Sequence, residues 1–159
     1  MSFTDQNDSD NYMTLESSWS NITDYIPKDK IIYEPFYGDG TSGEFLRKLG
    51  CKKVIHEDTD FFENSFEYDM IISNPPFRFK KQIFQRLKEI GKPFIMICPI
   101  TTLGYKYFLD NYTNEIQLIV PAKRMKFRKL NTDNAKYAPP FSTFYFCYKM
   151  NLPKDLIFI

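Results

Sequence analysis

Short apolar runs alternate along the chain with segments in which apolar residues recur every three or four positions. The short runs predict buried strands at 31–36, 53–57, 70–73, 94–99, 116–120 and 143–149. The longer spacing predicts helices at 44–49, 79–90 and 105–112, and an earlier helix that carries Leu15, Trp19, Ile22 and Ile26. Thr14 is placed as the N-cap of that first helix. The alternation predicts an α/β fold, a three-layer sandwich whose mostly parallel sheet is covered by helices on both faces.

The length of the chain bounds its organisation. Its 159 residues predict a single domain at 12–159, preceded by a polar and acidic segment at 1–11 that is expected to be flexible. Asn74 follows Gly40 by only 34 positions, which is too few for a full strand-helix-strand-helix-strand path. One strand-helix unit, within 59–67, is therefore expected to be reduced to a loop, which leaves about six strands.

The residue types exclude several functional classes. Three widely spaced cysteines without a C-x-x-C pair indicate neither a disulfide framework nor a zinc site, and a single histidine, His56, excludes a two-histidine metal site. No metal is therefore expected. The chain has no long apolar run that predicts a membrane span, and it shows no basic-then-apolar leader pattern. We expect an intracellular, reducing location, in a cell or an infected host, and no membrane partner.

Charge is strongly segregated along the chain although the net charge is only +1. Residues 1–77 hold 6 basic and 15 acidic side chains, a balance of −9, whereas residues 78–130 hold 12 and 3, a balance of +9. The densest basic stretch is 123–129, which has five cations in seven residues and includes Phe127. Such a stretch can bind phosphate backbones and stack its ring on a base. A solvated basic loop is the alternative, but the segregation favours a polyanionic partner.

The segment Asn74-Pro75-Pro76-Phe77 follows the predicted strand 70–73 and carries the most specific chemistry of the chain. The prolines fix φ and donate no N–H, so the carbonyls of Asn74 and Pro75 remain as acceptors, and the Asn74 side chain adds another. Phe77 supplies a ring that can cover a flat partner. Together these groups suit a planar amine on an aromatic ring. A proline turn that merely ends a buried strand is the alternative.

A glycine turn follows the predicted strand 31–36. Gly38, Gly40 and Gly43 have the Gly-x-Gly-x-x-Gly spacing that lets a ligand approach the backbone, a pattern that dinucleotide sites share. Glu34 precedes the turn, and a carboxylate there would repel a pyrophosphate but attract the ammonium group of an amino acid. The turn therefore favours a ligand with an amino-acid end.

Acidic residues follow the next predicted strand. Glu57 or Asp58 can accept hydrogen bonds from ribose hydroxyls, and Asp60 with Phe61 suits the amine and the face of an adenine. An ordinary solvated loop is the alternative for this cluster. An amino-acid end, a ribose and an adenine together make up S-adenosylmethionine, which we therefore predict as the cofactor.

The pairing of Glu-Pro-Phe-x-Gly-x-Gly at 34–40 with Asn-Pro-Pro-Phe at 74–77 resembles the class I S-adenosylmethionine-dependent methyltransferases. Within them it is most similar to compact adenine-N6 DNA methyltransferases of phages and large viruses, over 12–149. The resemblance implies a Rossmann-like fold and methyl transfer to adenine in nucleic acid, with DNA ahead of RNA. No separate target-recognition domain fits in this length, so a specificity subunit or a homodimer is a further expectation.

The resemblance also implies roles for individual residues. It places three in the catalytic loop, namely Asn74, Pro75 and Phe77. It places ten in the cofactor site: Tyr12, Thr14, Glu34, Phe36, Gly38, Gly40, Glu57, Asp58, Asp60 and Phe61. Leu15 departs from the family, in which proline is common at that position. It places five at the substrate, with Phe127 stacked on an extruded target base: Lys123, Arg124, Lys126, Phe127 and Arg128.

The motifs leave other functions open. The same catalytic loop would serve an RNA base or a protein glutamine amide, because the amide nitrogen is also planar. A non-catalytic subunit that keeps the fold to bind nucleic acid or a partner is another alternative, although the intact segment 74–77 argues against it. A dinucleotide-dependent oxidoreductase is disfavoured by Glu34.

Overall fold

Strands and helices alternate along the structure, a computed structural model that describes residues 12–129 and 136–159. The segment predicted to be flexible, 1–11, lies outside the described residues. The helices are α1 (Glu16–Ser20), α2 (Thr41–Lys48), α3 (Lys80–Ile90) and α4 (Lys106–Tyr112). The strands are β1 (Tyr12–Thr14), β2 (Ile31–Tyr33), β3 (Lys53–Ile55), β4 (Met70–Ser73), β5 (Phe94–Pro99), β6 (Ile116–Val120), β7 (Phe127–Lys129), β8 (Lys136–Tyr137), β9 (Thr143–Tyr148) and β10 (Leu156–Phe158).

Seven of these strands form the central sheet, in the order β10-β6-β9-β5-β4-β2-β3. All neighbouring pairs are parallel except those of β9, which runs antiparallel to β5 and to β6. The predicted α/β fold with a mostly parallel sheet is therefore confirmed. The predicted count of about six was one short because Leu156–Phe158 adds an edge strand beside β6. Between β3 and β4 the chain forms only turns and bends, as its shortness required.

The core lies on both faces of the central sheet because its middle strands are apolar throughout. Alternate residues of β5 point to opposite faces, Ile95 and Ile97 to one and Phe94, Met96 and Cys98 to the other. Trp19 of α1 and Leu46 of α2 cover the first face, and Phe84 of α3 with Phe108 of α4 covers the second. The result is the predicted three-layer arrangement.

Several predicted boundaries differ from the observed ones. The first helix ends at Ser20, and a short 3-10 turn, Thr23–Tyr25, completes the segment. Thr14 is not an N-cap but the last residue of β1, and Leu15 takes the N-cap position. The strand predicted at 31–36 ends at Tyr33 because Pro35 has no N–H for a sheet hydrogen bond.

A second, three-stranded sheet has the order β1-β7-β8 and was not predicted. Its antiparallel register pairs Tyr12 with Lys129 and Thr14 with Phe127. The cationic stretch therefore runs directly beside the first strand of the chain. Two predicted site segments that are more than 110 positions apart in the sequence thus meet in this small sheet.

The described part of the chain offers little material for metal binding or redox chemistry. Its three cysteines are free and buried, and burial raises the pKa of each thiol, that of Cys147 to about 12. Residues 12–129 and 136–159 contain no cluster of three or more metal-binding side chains. No helix in these ranges is long and apolar enough to cross a membrane.

Gly43 of α2 provides a test of how closely this helix packs on the sheet. A Cβ at Gly43 would lie 2.7 to 2.9 Å from carbon atoms of the His56 imidazole and its Cβ. We expect Gly43→Ala to lower the free energy of unfolding by about 1–3 kcal/mol in urea denaturation, despite the better helix propensity of alanine. Gly104→Ala is the control, because a Cβ there meets no atom within 4 Å. Equal unfolding midpoints for the two variants would contradict the packing.

Candidate active site

The two sequence motifs meet because β2 and β4 are neighbouring parallel strands. Ile32 pairs with Met70 and Tyr33 with Ile71, so the turns that follow both strands emerge at the same edge of the sheet. In parallel sheets, ligands bind outside the carboxyl ends of the strands. The glycine turn and the Asn-Pro-Pro-Phe segment thus form one site.

A buried carboxyl group links the two strand ends. Glu34 is only 1% exposed, and its Oε1 accepts hydrogen bonds from the Phe36 backbone N–H, at 3.0 Å, and from the Ser73 hydroxyl. Ser73 is the last residue of β4 and is fully buried. Glu34 therefore fixes the start of the glycine turn against the strand that leads to Asn74.

The burial of Glu34 changes the role expected from the sequence. Burial raises the pKa of this carboxyl to about 8, although the hydrogen bonds from Ser73 and Phe36 act to lower it. A carboxyl so enclosed does not present a surface charge to an ammonium group. Its direct role in the structure is to join the glycine turn to β4.

The glycine turn needs its glycines for two different reasons. Gly38 and Gly40 have φ values of +59° and +84°, which favour residues without a Cβ. A Cβ on Gly38 would also lie 2.9 Å from the sulfur of Met13, so β1 packs directly on the turn. Gly43 lies in α2 and gives room to His56, which places the helix close to the sheet. The turn is therefore accessible through its backbone and covered in part by β1.

His56 fills the space behind this turn. Its Nδ1 lies 3.0 Å from the Glu34 carbonyl oxygen, and its ring stacks on Tyr37 with centroids 4.9 Å apart. Burial lowers the pKa of His56, which keeps the imidazole neutral near pH 7. Its contacts with Glu34 and Tyr37 place it in the packing behind the turn.

Asn74 presents an acceptor into the site. Its Nδ2 donates to the Thr14 hydroxyl at 3.1 Å. Its Oδ1 is buried, and no donor for it lies among residues 12–129 and 136–159. A buried amide oxygen without a donor is costly, so this atom is available to an incoming N–H group. Phe77 lies next to it in a 3-10 turn, and its ring meets Phe141 edge-on at a centroid distance of 5.5 Å.

An ion pair ties the glycine turn to the second sheet. Arg128 of β7 donates to the Asp39 carboxylate, which also accepts from the Thr41 hydroxyl at 2.6 Å and the Thr41 N–H at 3.1 Å. Burial acts to raise the pKa of Asp39, but the Thr41 and Arg128 interactions outweigh it and lower the pKa below its ordinary value. The sequence analysis predicted that Arg128 contacts the substrate. In the structure its guanidinium is instead paired with Asp39.

The remaining cofactor residues surround the loop after β3. Glu57 and Asp58 are exposed, whereas Phe61 is buried and meets Phe36 at 5.4 Å between centroids. The Asp60 Oδ1 accepts from the Phe62 N–H at 2.8 Å, which fixes the loop locally. Two exposed carboxylates and the ring contact between Phe61 and Phe36 thus lie beside the glycine turn.

The cationic stretch divides into an outer and an inner row. Lys123, Arg124 and Lys126 are exposed, while Met125 and Phe127 are buried. Phe127 is only 1% exposed and packs near Tyr12, with centroids 6.2 Å apart, so its ring is not available to a base in this structure. Phe127 is the first residue of β7, and its side chain packs into the core.

Sequence reasoning missed two residues that shape the site, Ser73 and Asp39. Ser73 directly precedes the Asn-Pro-Pro-Phe motif, and a hydroxyl at the end of an apolar strand could have been recognised as a hydrogen-bond donor to the site. Asp39 and its partner Arg128 are 89 positions apart, and the Thr14 contact with Asn74 spans 60 positions, so no local pattern indicates either pair.

Solved structures match this chain in fold. A dimethyladenosine transferase from Plasmodium falciparum aligns over 86% of this chain with 12% identity and a TM-score of 0.50, and this chain spans 62% of its length. A precorrin-6y C5,15-methyltransferase from Geobacter metallireducens aligns over 91% of this chain and 98% of its own, with 9% identity and a TM-score of 0.50. No protein-family model and no curated protein matches the chain. The chain thus shares the Rossmann-like fold of these two methyltransferases.

The buried carboxyl of Glu34 predicts a specific dependence of stability on pH. Its pKa in the folded chain, about 8, is higher than the ordinary value of 4.5, so the folded state holds the proton more tightly than the unfolded state. Its contribution to stability is present below pH 4.5 and is lost as the pH rises towards 8. Glu34→Gln should therefore gain stability over wild type between pH 5 and pH 8, by on the order of a few kcal/mol in urea denaturation.

The exposed Glu44→Gln is the matched control, because it makes the same change at a carboxylate that is not buried. If the Glu34→Gln difference is independent of pH, the carboxyl is not held in its protonated form.

Proposed function

We propose that this protein is an S-adenosylmethionine-dependent methyltransferase that acts on the exocyclic amine of adenine in nucleic acid, with DNA ahead of RNA. The observation that carries the proposal is the buried Asn74 Oδ1, which lacks a donor among the described residues and lies at the strand end next to the glycine turn. An acceptor in that position fits an amine that must be held beside a bound methyl donor.

The cofactor-side residues fit S-adenosylmethionine. Gly38 and Gly40 give the turn the positive-φ backbone of a ligand-binding glycine loop, and the exposed Glu57 and Asp58 offer acceptors for ribose hydroxyls. When bound, the cofactor supplies an electrophilic methyl group on a positively charged sulfur. The acidic half of the chain suits that positive charge.

The catalytic loop orients the acceptor amine. An aromatic amine is a poor nucleophile because its lone pair is delocalised into the ring. A hydrogen bond from the amine to Asn74 Oδ1, with a second to the Pro75 carbonyl, favours a nitrogen whose lone pair is localised. Since Asn74 Nδ2 is held by Thr14, the amide oxygen is fixed in the acceptor position before the substrate arrives. The rate gain then comes from positioning, because the methyl donor is already activated.

The charge distribution supports a nucleic acid as the substrate. Lys123, Arg124 and Lys126 form an exposed cationic row that leads into β7, the strand beside Thr14. A polyanionic backbone would bind along this row. The structural neighbours are named for a dimethyladenosine and for a precorrin, so the fold serves different acceptors and the substrate must be argued from these residues. We propose a specificity subunit or a second copy of the chain as the source of further base recognition.

Methyl transfer to a panel of acceptors tests this function. The protein would be incubated with S-adenosylmethionine carrying a tritiated methyl group and with DNA, RNA or protein, and the labelled product would be digested and separated. We expect the label in N6-methyladenine from DNA. Label only in RNA or only in glutamine would show that the enzyme acts on that acceptor and not on DNA. No label despite cofactor binding would indicate a non-catalytic subunit.

Asn74→Ala separates catalysis from cofactor binding. We expect methyl transfer to fall at least about a hundredfold, because the acceptor that positions the amine is lost. The dissociation constant for S-adenosylmethionine, measured by calorimetry, should change little. Asn21→Ala, an exposed asparagine after α1, is the control and should keep full activity. Retained methyl transfer in Asn74→Ala would remove Asn74 from the mechanism.

Thr14→Val tests whether Thr14 orients the Asn74 amide. Valine keeps the shape of threonine but cannot accept the Nδ2 hydrogen bond, so the amide is free to rotate. We expect kcat to fall about tenfold or more, with little change in the dissociation constant for the cofactor. Thr14→Ser should restore most of kcat. If valine supports a wild-type kcat, Thr14 serves only the packing of β1.

A further inference from the structure

An exposed aromatic ring lies near the catalytic loop but has no part in the site described above. Tyr105 directly precedes α4 and is 46% exposed. Its ring stacks on Tyr107, with centroids 5.5 Å apart and an angle of 14° between the planes. Tyr107 is half-buried, and its carbonyl accepts from Asn111 Nδ2 at 2.7 Å. Tyr105 is therefore an exposed ring on a supporting ring.

Lys80 connects Tyr105 to the catalytic loop. Its Nζ lies 5.6 Å from the centroid of Phe77 and 5.3 Å from that of Tyr105, and it donates to the Thr102 hydroxyl at 3.4 Å. The centroids of Phe77 and Tyr105 are therefore no farther apart than the sum of their two distances to Lys80 Nζ. Phe77 follows Asn74-Pro75-Pro76, so Lys80 lies between Tyr105 and the last residue of that motif.

The charge around this ring is positive. Residues 78–81 contribute Arg78, Lys80 and Lys81 and no acidic side chain. They belong to the half of the chain with a balance of +9, 12 basic and 3 acidic side chains over 78–130. An exposed aromatic ring with a cation beside it is the combination that binds single-stranded nucleic acids, because bases stack on the ring and cations hold the backbone.

We propose that Tyr105 is a stacking platform for a base adjacent to the target adenine, and that Lys80 binds a phosphate of the same strand. This inference rests on the proposed function, because the adjacent base is defined by the target at Asn74. It replaces Phe127 as the base-stacking residue, since Phe127 is buried and Tyr105 is exposed. It also implies that the substrate is single-stranded or locally opened, because only an unpaired base can stack on an exposed ring of the protein.

The test uses the full chain and a short single-stranded DNA with one central adenine, with binding measured by fluorescence anisotropy. Tyr105→Ala should weaken binding about tenfold, whereas Tyr105→Phe should bind within about twofold of wild type because it keeps the ring. Lys80→Gln should lower the slope of log Kd against log salt by about one. Phe158→Ala is the matched control, an aromatic residue 71% exposed on the edge strand β10, and should bind like wild type.

A second probe isolates stacking from every other effect of the substitution. It has abasic positions on both sides of the adenine, so no neighbouring base is present to stack. Wild type and Tyr105→Ala should bind this probe equally. Equal weakening of both probes by Tyr105→Ala, or no weakening of either, would overturn the platform. So would a change in sedimentation of the unliganded chain in Tyr105→Ala, because the ring would then belong to a protein interface.

Methyl transfer to the intact probe separates this inference from the proposed function. If wild type methylates the adenine but Tyr105→Ala binds the probe normally, the stacking role of Tyr105 is wrong and the proposed methyltransferase function is retained. If the stacking effect is present without any methyl transfer by wild type, the platform stands and the proposed function fails.

Discussion

The hydrogen bonds of one buried carboxyl group, that of Glu34, underlie the arrangement of the whole site. The group lies where β2 ends, and it accepts from the first residues of the glycine turn and from the end of β4. Two strand ends that otherwise only run parallel are thereby fixed relative to each other. An ionised carboxylate in that place would be expensive, and the raised pKa shows that the group is held mainly as the acid near neutral pH. The stability of the fold and the position of the glycine turn thus both depend on the proton of the Glu34 carboxyl.

The three-stranded sheet contacts both turns at the edge of the central sheet. Met13 packs on Gly38, Thr14 accepts from the Asn74 amide, and Arg128 binds Asp39. Each of these contacts joins the β1-β7 pair to one of the two turns at the edge of the central sheet. The Asn74 amide is therefore oriented by an element outside the sheet that carries it. Such support from a second layer is what holds a functional group in one productive position.

Periodicity was sufficient for most of the central sheet and for α3, whose predicted end at Gly91 is confirmed by a φ of +69°. Short strands were harder. Leu156–Phe158 and the three strands of the small sheet have only two or three residues each, which is too short for an alternating pattern to be read.

The position of both motifs at one sheet edge also followed from the sequence, because strand ends in a parallel sheet share an edge. The burial of Glu34 and Phe127 did not follow, because it depends on what packs over them from distant parts of the chain. Charge alone suggested that Glu34 faces a ligand, and composition alone suggested that Phe127 faces a base. Tertiary packing turned both side chains inward.

The pairing of β1 with β7 has a consequence for the order of assembly. Tyr12 and Lys129 are neighbours in the sheet although 117 positions separate them in the sequence. Closing so long a loop is an entropic cost that local structure does not share, so this pairing is expected late in folding. The central sheet can thus form while Asn74 still lacks its anchor. The orientation of the Asn74 amide is then a property of the finished molecule, and the Thr14 hydrogen bond that fixes it forms only when the fold is complete.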